Sequence, residues 1–323
     1  MSLVVDNSTL QAVARCDTEA LVRYTLGYTS AEEHAALLAG TAIHRAFEAW
    51  FKTRGDNDAG NAAFAAHYRA WAESNVQPDH RLAWPNTSLI VANWFANRTF
   101  ATLPYSVHPS AVELAFDFEV APSVRLQGRL DALGRFESEP AVVEHKSTGA
   151  ITPEWERQWR LDSQVTGYMW AASRIVGQPI KTMLINGVEF SKVPTSTKKC
   201  PKHAVPYSEC GPLHAEAKLI VCTRTPEQID AWHRTAVALA HDFDALESVG
   251  DLVRAMEGVG GMAQTKALSG VAMQGTFNGA CKRCALASWC ANGRDYPELV
   301  ANFLYEPWSP LPTEPRHHSG TKP

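Results

Sequence analysis

Residues 30–51 carry apolar side chains at steps of three and four, with Ile43, Phe47 and the pair Trp50 and Phe51 along one line. That period predicts a helix with one buried face, and Ser30 followed by Glu33 has the form of a capping box at its start. Helical spacing is also read after Cys16, through Leu21, Tyr24 and Tyr28, between Asn61 and Glu73, and between Thr87 and Phe100. From Ala111 the period drops to two. VELAFDFEV alternates as a strand, VRLQGRLDALGRF follows as a second and AVVEHKST as a short third. Leu161 to Val176 returns to helical spacing, and IKTMLINGVEF and AKLIVCTR read as two further strands. A helix from about Pro226 to Met256 places proline in its first turn, where a missing N–H costs little, and Gly258 to Gly261 breaks it.

This order predicts an α/β (α+β) core, with a central sheet flanked by helices, in one domain over residues 1–305. The core runs from about 40 to 225. Residues 191–216, rich in Pro, Lys, Ser, Cys and His, read as an inserted loop, and the proline-rich residues 306–323 as a mobile tail. No repeat of 20–50 residues is visible, which sets solenoids and propellers aside.

The chain has 323 residues, of which 45% are apolar and 20% charged, so it can bury a core and is not a disordered polymer. No run of about 18 uncharged apolar residues argues for a membrane span. The start, MSLVVDNSTL, lacks the basic and apolar regions of a signal peptide. A cytoplasmic setting is therefore expected, in which the seven cysteines read as ligands or thiols rather than disulfides. The formal net charge of −4 gives no hint of a nucleic-acid partner.

The most telling stretch is Val142-Val143-Glu144-His145-Lys146. In a strand Glu144 and Lys146 project from one face, and a carboxylate and a lysine leaving a core strand together are costly unless a metal or substrate uses them. Asp131, in Gly128-Arg129-Leu130-Asp131 on the preceding strand, can lie opposite Glu144 across a hairpin, so two carboxylates can share one divalent cation. Taken alone, the three charges also fit an ordinary ion pair at a strand edge. Two helical features shift that balance. Gly40 lies one turn before His44, leaving room for another backbone or substrate, and a neutral imidazole is a good ligand for Mn²⁺. Gln164 and Tyr168 share a helical face and can orient the lysine or bond phosphate oxygens.

In that order, G-x-x-x-H, G-x-x-D, E-x-K and Q-x-x-x-Y resemble the RecB-like branch of the PD-(D/E)XK nuclease superfamily over residues 40–190. The resemblance implies a restriction-endonuclease-like core with a mixed sheet. It implies that His44, Asp131 and Glu144, with the backbone carbonyl of His145, ligate Mg²⁺ or Mn²⁺. Lys146 would position or help deprotonate the attacking water, with Gln164 and Tyr168 on the supporting helix. Leu130 stands where the superfamily's naming proline would be, a position that ligates nothing.

Cys281-Lys282-Arg283-Cys284 followed by Cys290 is tight enough to claim one metal or cluster, and three thiolates need a fourth ligand. With the nuclease motifs, Cys16 and this triplet are similar to the iron–sulfur nucleases that include the AddB subunit and the CRISPR-associated exonucleases. That likeness implies a 4Fe–4S cluster on Cys16, Cys281, Cys284 and Cys290, stapling the N- and C-terminal helical segments. A Cys₄ zinc site is the alternative. Cys200, His203, Cys210 and His214 in the insert have zinc-like local spacings, set against a flexible basic loop in which Lys198, Lys199 and Lys202 touch a nucleic-acid backbone. Cys222 reads as a buried small hydrophobe.

The expected activity is metal-dependent hydrolysis of DNA by an exonuclease acting on ends or single strands, in recombination, repair or phage and CRISPR DNA processing. No G-x-x-x-x-G-K-[ST] motif is present, so unwinding would come from a helicase, or the chain would work beside a recombination or annealing partner. A DNA-end binding or adaptor subunit is the alternative. Trp50, Trp155, Trp159 and Trp170 are candidates for stacking on unpaired bases, or for the core.

Overall fold

The computed structural model describes residues 2–30, 34–191, 199, 204–206, 217–256, 261–271 and 281–311. The chain divides into two compact units. One comprises Met1–Glu32, Ala115–Gly128 and Ala231–Pro323, and the other Glu33–Leu114 and Arg129–Asp230. The strands are β1 (Leu3–Val5), β2 (Tyr28–Ser30), β3 (Tyr105–Ala121), β4 (Val124–Phe136), β5 (Glu139–Thr148), β6 (Thr182–Glu189), β7 (Ala217–Thr223) and β8 (Phe303–Tyr305).

A six-stranded mixed sheet has the order β1-β4-β5-β6-β7, with β3 also paired to β4. This central mixed sheet, with helices against it, fits a restriction-endonuclease-like fold. β4 and β5 form an antiparallel hairpin from Phe136↔Glu139 to Ala132↔Val143. Its two-residue turn holds Glu137 and Ser138 at positive φ, 49° and 70°, matching the right-handed twist of the strands it joins. β5 and β6 are parallel, Glu144 opposite Ile185 and Lys146 opposite Gly187. A parallel pair needs a crossover, which α6 (Pro153–Gln158) and α7 (Ser163–Val176) supply. α7 opens on Asp162, which accepts from Gln164 N, and closes on Gly177 at φ 74°, a left-handed cap.

Besides α6 and α7, the second unit holds α3 (Ala35–Lys52), α4 (Asn57–Asn75) and α5 (Trp84–Ala96). α3 buries Ala39, Ala42, Ile43, Ala46, Phe47, Trp50 and Phe51, the face its apolar period predicts. These residues form one core cluster with Phe64 and Tyr68 of α4, Val91, Trp94 and Phe95 of α5, and Val143 and Leu184 of the sheet. Each large side chain buried there contributes roughly 1.5–3 kcal/mol, so α3 is anchored along its length. Its start differs from the sequence expectation. Ser30 lies in β2, paired with Phe303 of β8, and the helix begins at Ala35 on His34, which makes no side-chain cap; Glu33 lies outside the described residues.

In the other unit, α1 (Asn7–Arg15) is capped by Asp6, whose carboxylate accepts from Thr9 N at 2.6 Å. Cys16, extended at φ −167°, separates α1 from α2 (Asp17–Ala20), and a π-helical turn follows over Leu21–Thr25. The single first helix expected through Tyr28 is therefore several short pieces, with Tyr28 in β2. A long helix, α8 (Pro226–Ala255), is followed by α9 (Gly261–Ser269), α10 (Ala287–Ala291) and α11 (Tyr296–Asn302). No described helix is long and apolar enough to cross a membrane.

Candidate active site

The hairpin β4–β5 sets the first contacts. Its ladder ends at Ala132↔Val143, and one step beyond, the Asp131 carboxylate takes over the role of a strand partner: His145 N donates to Asp131 Oδ2 at 2.7 Å. Asp131 is thus fixed by the backbone of the residue between Glu144 and Lys146. The His145 side chain points away from them. Its ring stacks on Phe47 at 4.0 Å between centroids and accepts at Nδ1 from Asn186 Nδ2 at 2.9 Å. Burial drives its pKa down to about 3, so this imidazole is neutral and packed rather than ligating.

On the opposite face Lys146 Nζ donates to Glu144 Oε1 at 2.6 Å and to Gln164 Oε1 at 3.0 Å. Gln164 stands in the first turn of α7, so the crossover helix places a neutral amide against the lysine. Tyr168, one turn on, is half-buried. Trp159 lies 5.6 Å from the ammonium across its ring. Burial and the neighbouring Asp131 charge push the Glu144 carboxyl up to about 7. Burial alone would lower the lysine, but Glu144 and Asp131 together raise it. Glu144 Oε2 is buried with no hydrogen-bond partner in the described structure. An orphaned carboxylate oxygen of this kind costs about 1–3 kcal/mol or more unless something else meets it.

His44 comes from α3. Its Nδ1 donates to Asp131 Oδ1 at 3.1 Å; burial raises the Asp131 carboxyl, but His44 together with neighbours such as Lys146 outweighs it and holds the group down to about 2. Gly40 lines the cavity beside His44, but a Cβ there would stand 3.4 Å from Ser147 Oγ, an ordinary contact, so clearance alone does not require the glycine. The first three turns of α3, the middle of β3 and β4 and the end of β5 line an open cavity of about 380 Å³, whose walls include Leu37, Gly40, His44, Arg129, Asp131 and Lys146.

Direct contacts link His44 to Asp131, and Lys146 to both Glu144 and Gln164. The close-set ligand atoms are not the motif's three, because Glu113, which the motifs omit, stands with His44 and Asp131 while Glu144 is outside the set. Among the described residues, the set whose ligand atoms lie within 4.8 Å of one another is His44, Glu113 and Asp131. Glu113 stands in β3 between Val112 and Leu114, and a carboxylate between two apolar strand residues is the one local sign that could have marked it. Three of the four candidate stacking tryptophans, Trp50, Trp159 and Trp170, are buried and belong to the core, while Trp155 is half-buried.

A protein-family model described as the PD-(D/E)XK nuclease superfamily matches residues 7–291, most of the chain. The chain belongs to the PD-(D/E)XK nuclease superfamily. Membership makes it a hydrolase of the nuclease type, and divalent metals are the superfamily's cofactors. A nitrogen donor with carboxylate oxygens, as found around Asp131, is the chemistry such ions accept. No curated protein matches the chain. Among solved structures, a candidate exonuclease from Eubacterium rectale aligns at 13% identity and TM-score 0.48, over 76% of this chain and 82% of that one. The protein SSO0001 aligns at 13% identity and TM-score 0.26, over 74% and 85%. Both likenesses are loose, and the family match carries the identification.

In the other unit of this PD-(D/E)XK protein, Cys16, Cys281, Cys284 and Cys290 are all half-buried thiols. Burial raises the Cys284 and Cys290 thiols, the latter to about 11, and both feel the charges of Cys16 and Cys281. Cysteines from the two ends of the chain therefore share one neighbourhood. Arg294 fastens it: buried and at φ 61°, it donates to Thr18 Oγ1 at 3.3 Å, two residues from Cys16, and to Val271 O at 3.0 Å. Cys222 is buried, its thiol against Trp159 O. Cys200, His203, Cys210 and His214 lie outside the described residues.

Proposed function

We propose that the chain is a metal-dependent deoxyribonuclease of the RecB-like branch, working as an exonuclease on DNA ends or single strands. The observation that carries the reading is Lys146, lining the cavity beside Asp131 and tethered at once to Glu144 and Gln164. His44, Asp131 and Glu144, with the backbone carbonyl of His145, are the residues that would hold Mg²⁺ or Mn²⁺. The orphaned Glu144 Oε2 is what a buried carboxylate with a cation to meet looks like. A bound ion there supplies a more acidic water and draws charge from the phosphoryl oxygens.

The chain's own groups do the rest. Lys146 sets a positive charge next to the attacking water and the phosphate, and Gln164 fixes where that ammonium points without neutralising it. Asp131 is kept ionised by His44 and by the His145 N–H. Tyr168 belongs to the helix that supports this arrangement. Digestion of 5′- and 3′-labelled single and double strands with Mg²⁺ and with Mn²⁺ tests activity, polarity and strandedness together. Endonucleolytic cuts without end dependence would refute the exonuclease assignment, and no hydrolysis at all would favour the DNA-end adaptor.

The four cysteines are read as holding a 4Fe–4S cluster. A Cys₄ zinc site on the same four thiols is the alternative. Anaerobically purified protein should be brown, and colourless protein with one equivalent of zinc would refute the cluster.

A further inference from the structure

Glu113 is unusual in its backbone. It lies inside β3 yet has φ 55°, the left-handed region, which costs a residue bearing a Cβ roughly 1–2 kcal/mol. The buried positions of the strand slip by one residue just before it, from Tyr105 and Val107 to Val112. The bend delivers the Glu113 carboxylate to the cavity wall, where its ligand atom is within 4.8 Å of those of His44 and Asp131. Its charged partner is Arg129, also in the wall, whose Nη1 donates to Glu113 Oε2 across a long 3.4 Å. Nearby, Glu144, whose carboxyl feels the Asp131 charge, keeps its Oε2 buried without a hydrogen-bond partner.

We propose that Glu113 is a divalent-cation ligand alongside His44 and Asp131, and that it takes up the cation in exchange for Arg129, whose guanidinium is thereby released to a DNA phosphate. The inference rests on the nuclease reading and extends it, since neither Glu113 nor Arg129 is among the ligands or catalytic groups that the motifs supply. The charge logic is direct. With no cation, Arg129 joins His44 in partly offsetting the charge of Glu113 near Asp131. A doubly charged ion does that more strongly, and a planar guanidinium left without its carboxylate matches two phosphate oxygens in the geometry it prefers. Metal and DNA then bind with positive coupling through one side-chain exchange.

The test is an Mn²⁺ titration of the full chain, followed by electron paramagnetic resonance without DNA, on the unsubstituted protein, Glu113→Gln and Arg129→Met. Glu113→Gln should weaken Mn²⁺ binding at least tenfold. Arg129→Met, which removes the competitor for Glu113, should tighten it severalfold. In a parallel assay with a fluorescent single-stranded oligonucleotide, Ca²⁺ should tighten DNA binding by the unsubstituted protein, and Arg129→Met should lose that increment. Unchanged Mn²⁺ affinity in Glu113→Gln, or weaker affinity in Arg129→Met, overturns the exchange while leaving the nuclease reading intact. An unsubstituted protein that binds no Mn²⁺ at all instead overturns the metal-dependent reading itself. Should Glu113→Gln fail to fold, the sign of the Arg129→Met effect decides alone.

Discussion

Replacing Lys146 by methionine, a side chain of similar length without charge, isolates the electrostatics of the Glu144–Lys146 pair. Glu144 is 2% exposed, its Oε2 has no hydrogen-bond partner, and Lys146 is the ion-pair partner of its Oε1 at 2.6 Å. Breaking a buried pair by removing one partner typically costs about 3–5 kcal/mol, but a carboxyl can escape part of that by taking up a proton. The native Glu144 carboxyl stands at about 7, above its ordinary 4.5. A carboxyl raised in the folded state contributes stability that is present below the ordinary value and lost as pH rises through the folded one. In the native protein that loss levels off above about 7, because Lys146 receives the charge. Without Lys146 it continues upward. Between pH 7 and 8.5 the difference is one and a half pH units at about 1.36 kcal/mol each, roughly 2 kcal/mol. Urea unfolding in EDTA should therefore show Lys146→Met nearly as stable as the native protein at pH 5.5 and about 2 kcal/mol less stable at pH 8.5. The double variant with Glu144→Gln should regain most of that loss. A gap independent of pH, or a double variant no more stable than the single one at pH 8.5, would refute the reasoning. Both variants should lack DNA hydrolysis.

Cation affinity should rise with pH up to about 7 and then flatten, because ligation displaces protons from Glu144 and His44; calorimetry in buffers of different ionisation enthalpy counts them, and constant affinity from pH 6 to 8 would contradict it. Asn186→Leu leaves His145 Nδ1 buried without a donor and should cost about 1–3 kcal/mol in urea unfolding. Gly187→Ala would set a Cβ 2.4 Å from Trp155 Cη2 and, through the edge contact of Trp155 with Trp159, disturb Lys146. Its turnover should fall, and adding Trp155→Ala should restore part of it; a double variant no faster than the single would break that chain of contacts. On the proposed cluster reading, Cys290→Ser should bleach a visible absorption and lower the unfolding temperature, since a cluster on Cys16 and the C-terminal cysteines would close a loop of more than 250 residues, worth up to about 5 kcal/mol in chain entropy.

Much of the candidate site was legible because its signals are local. Strand alternation alone places Glu144 and Lys146 on one face, and a helical turn alone places Gly40 beside His44 and Gln164 beside Tyr168. The five-strand pattern from β3 to β7 was readable for the same reason. What escaped depends on long-range geometry. β1, β2 and β8 are three residues long, too short for any period to show. β3 begins at Tyr105 rather than near Ala111, because Pro109 interrupts a run whose Tyr105 and Val107 are in fact buried. Glu113 reaches the cavity only because the backbone turns left-handed there, and no count of residues between motifs contains a dihedral angle. The direction of His145 was implicit in the alternation, yet its stacking on Phe47 needed the helix in place.

That stacking has a consequence for how errors at the site would arise. α3 offers His44 to the cavity and, one turn later, Phe47 to the back of the strand that carries Glu144 and Lys146. Helix and strand are therefore registered against each other by an aromatic clamp on the side away from the chemistry. The spacing of histidine, aspartate and lysine is a property of the core, held to the tolerance of packed rings rather than of a loop. Substitutions at Phe47 or its neighbour Trp94 would then mistune the cavity without touching it, and a screen that looked for activity alone would misfile core residues as catalytic ones.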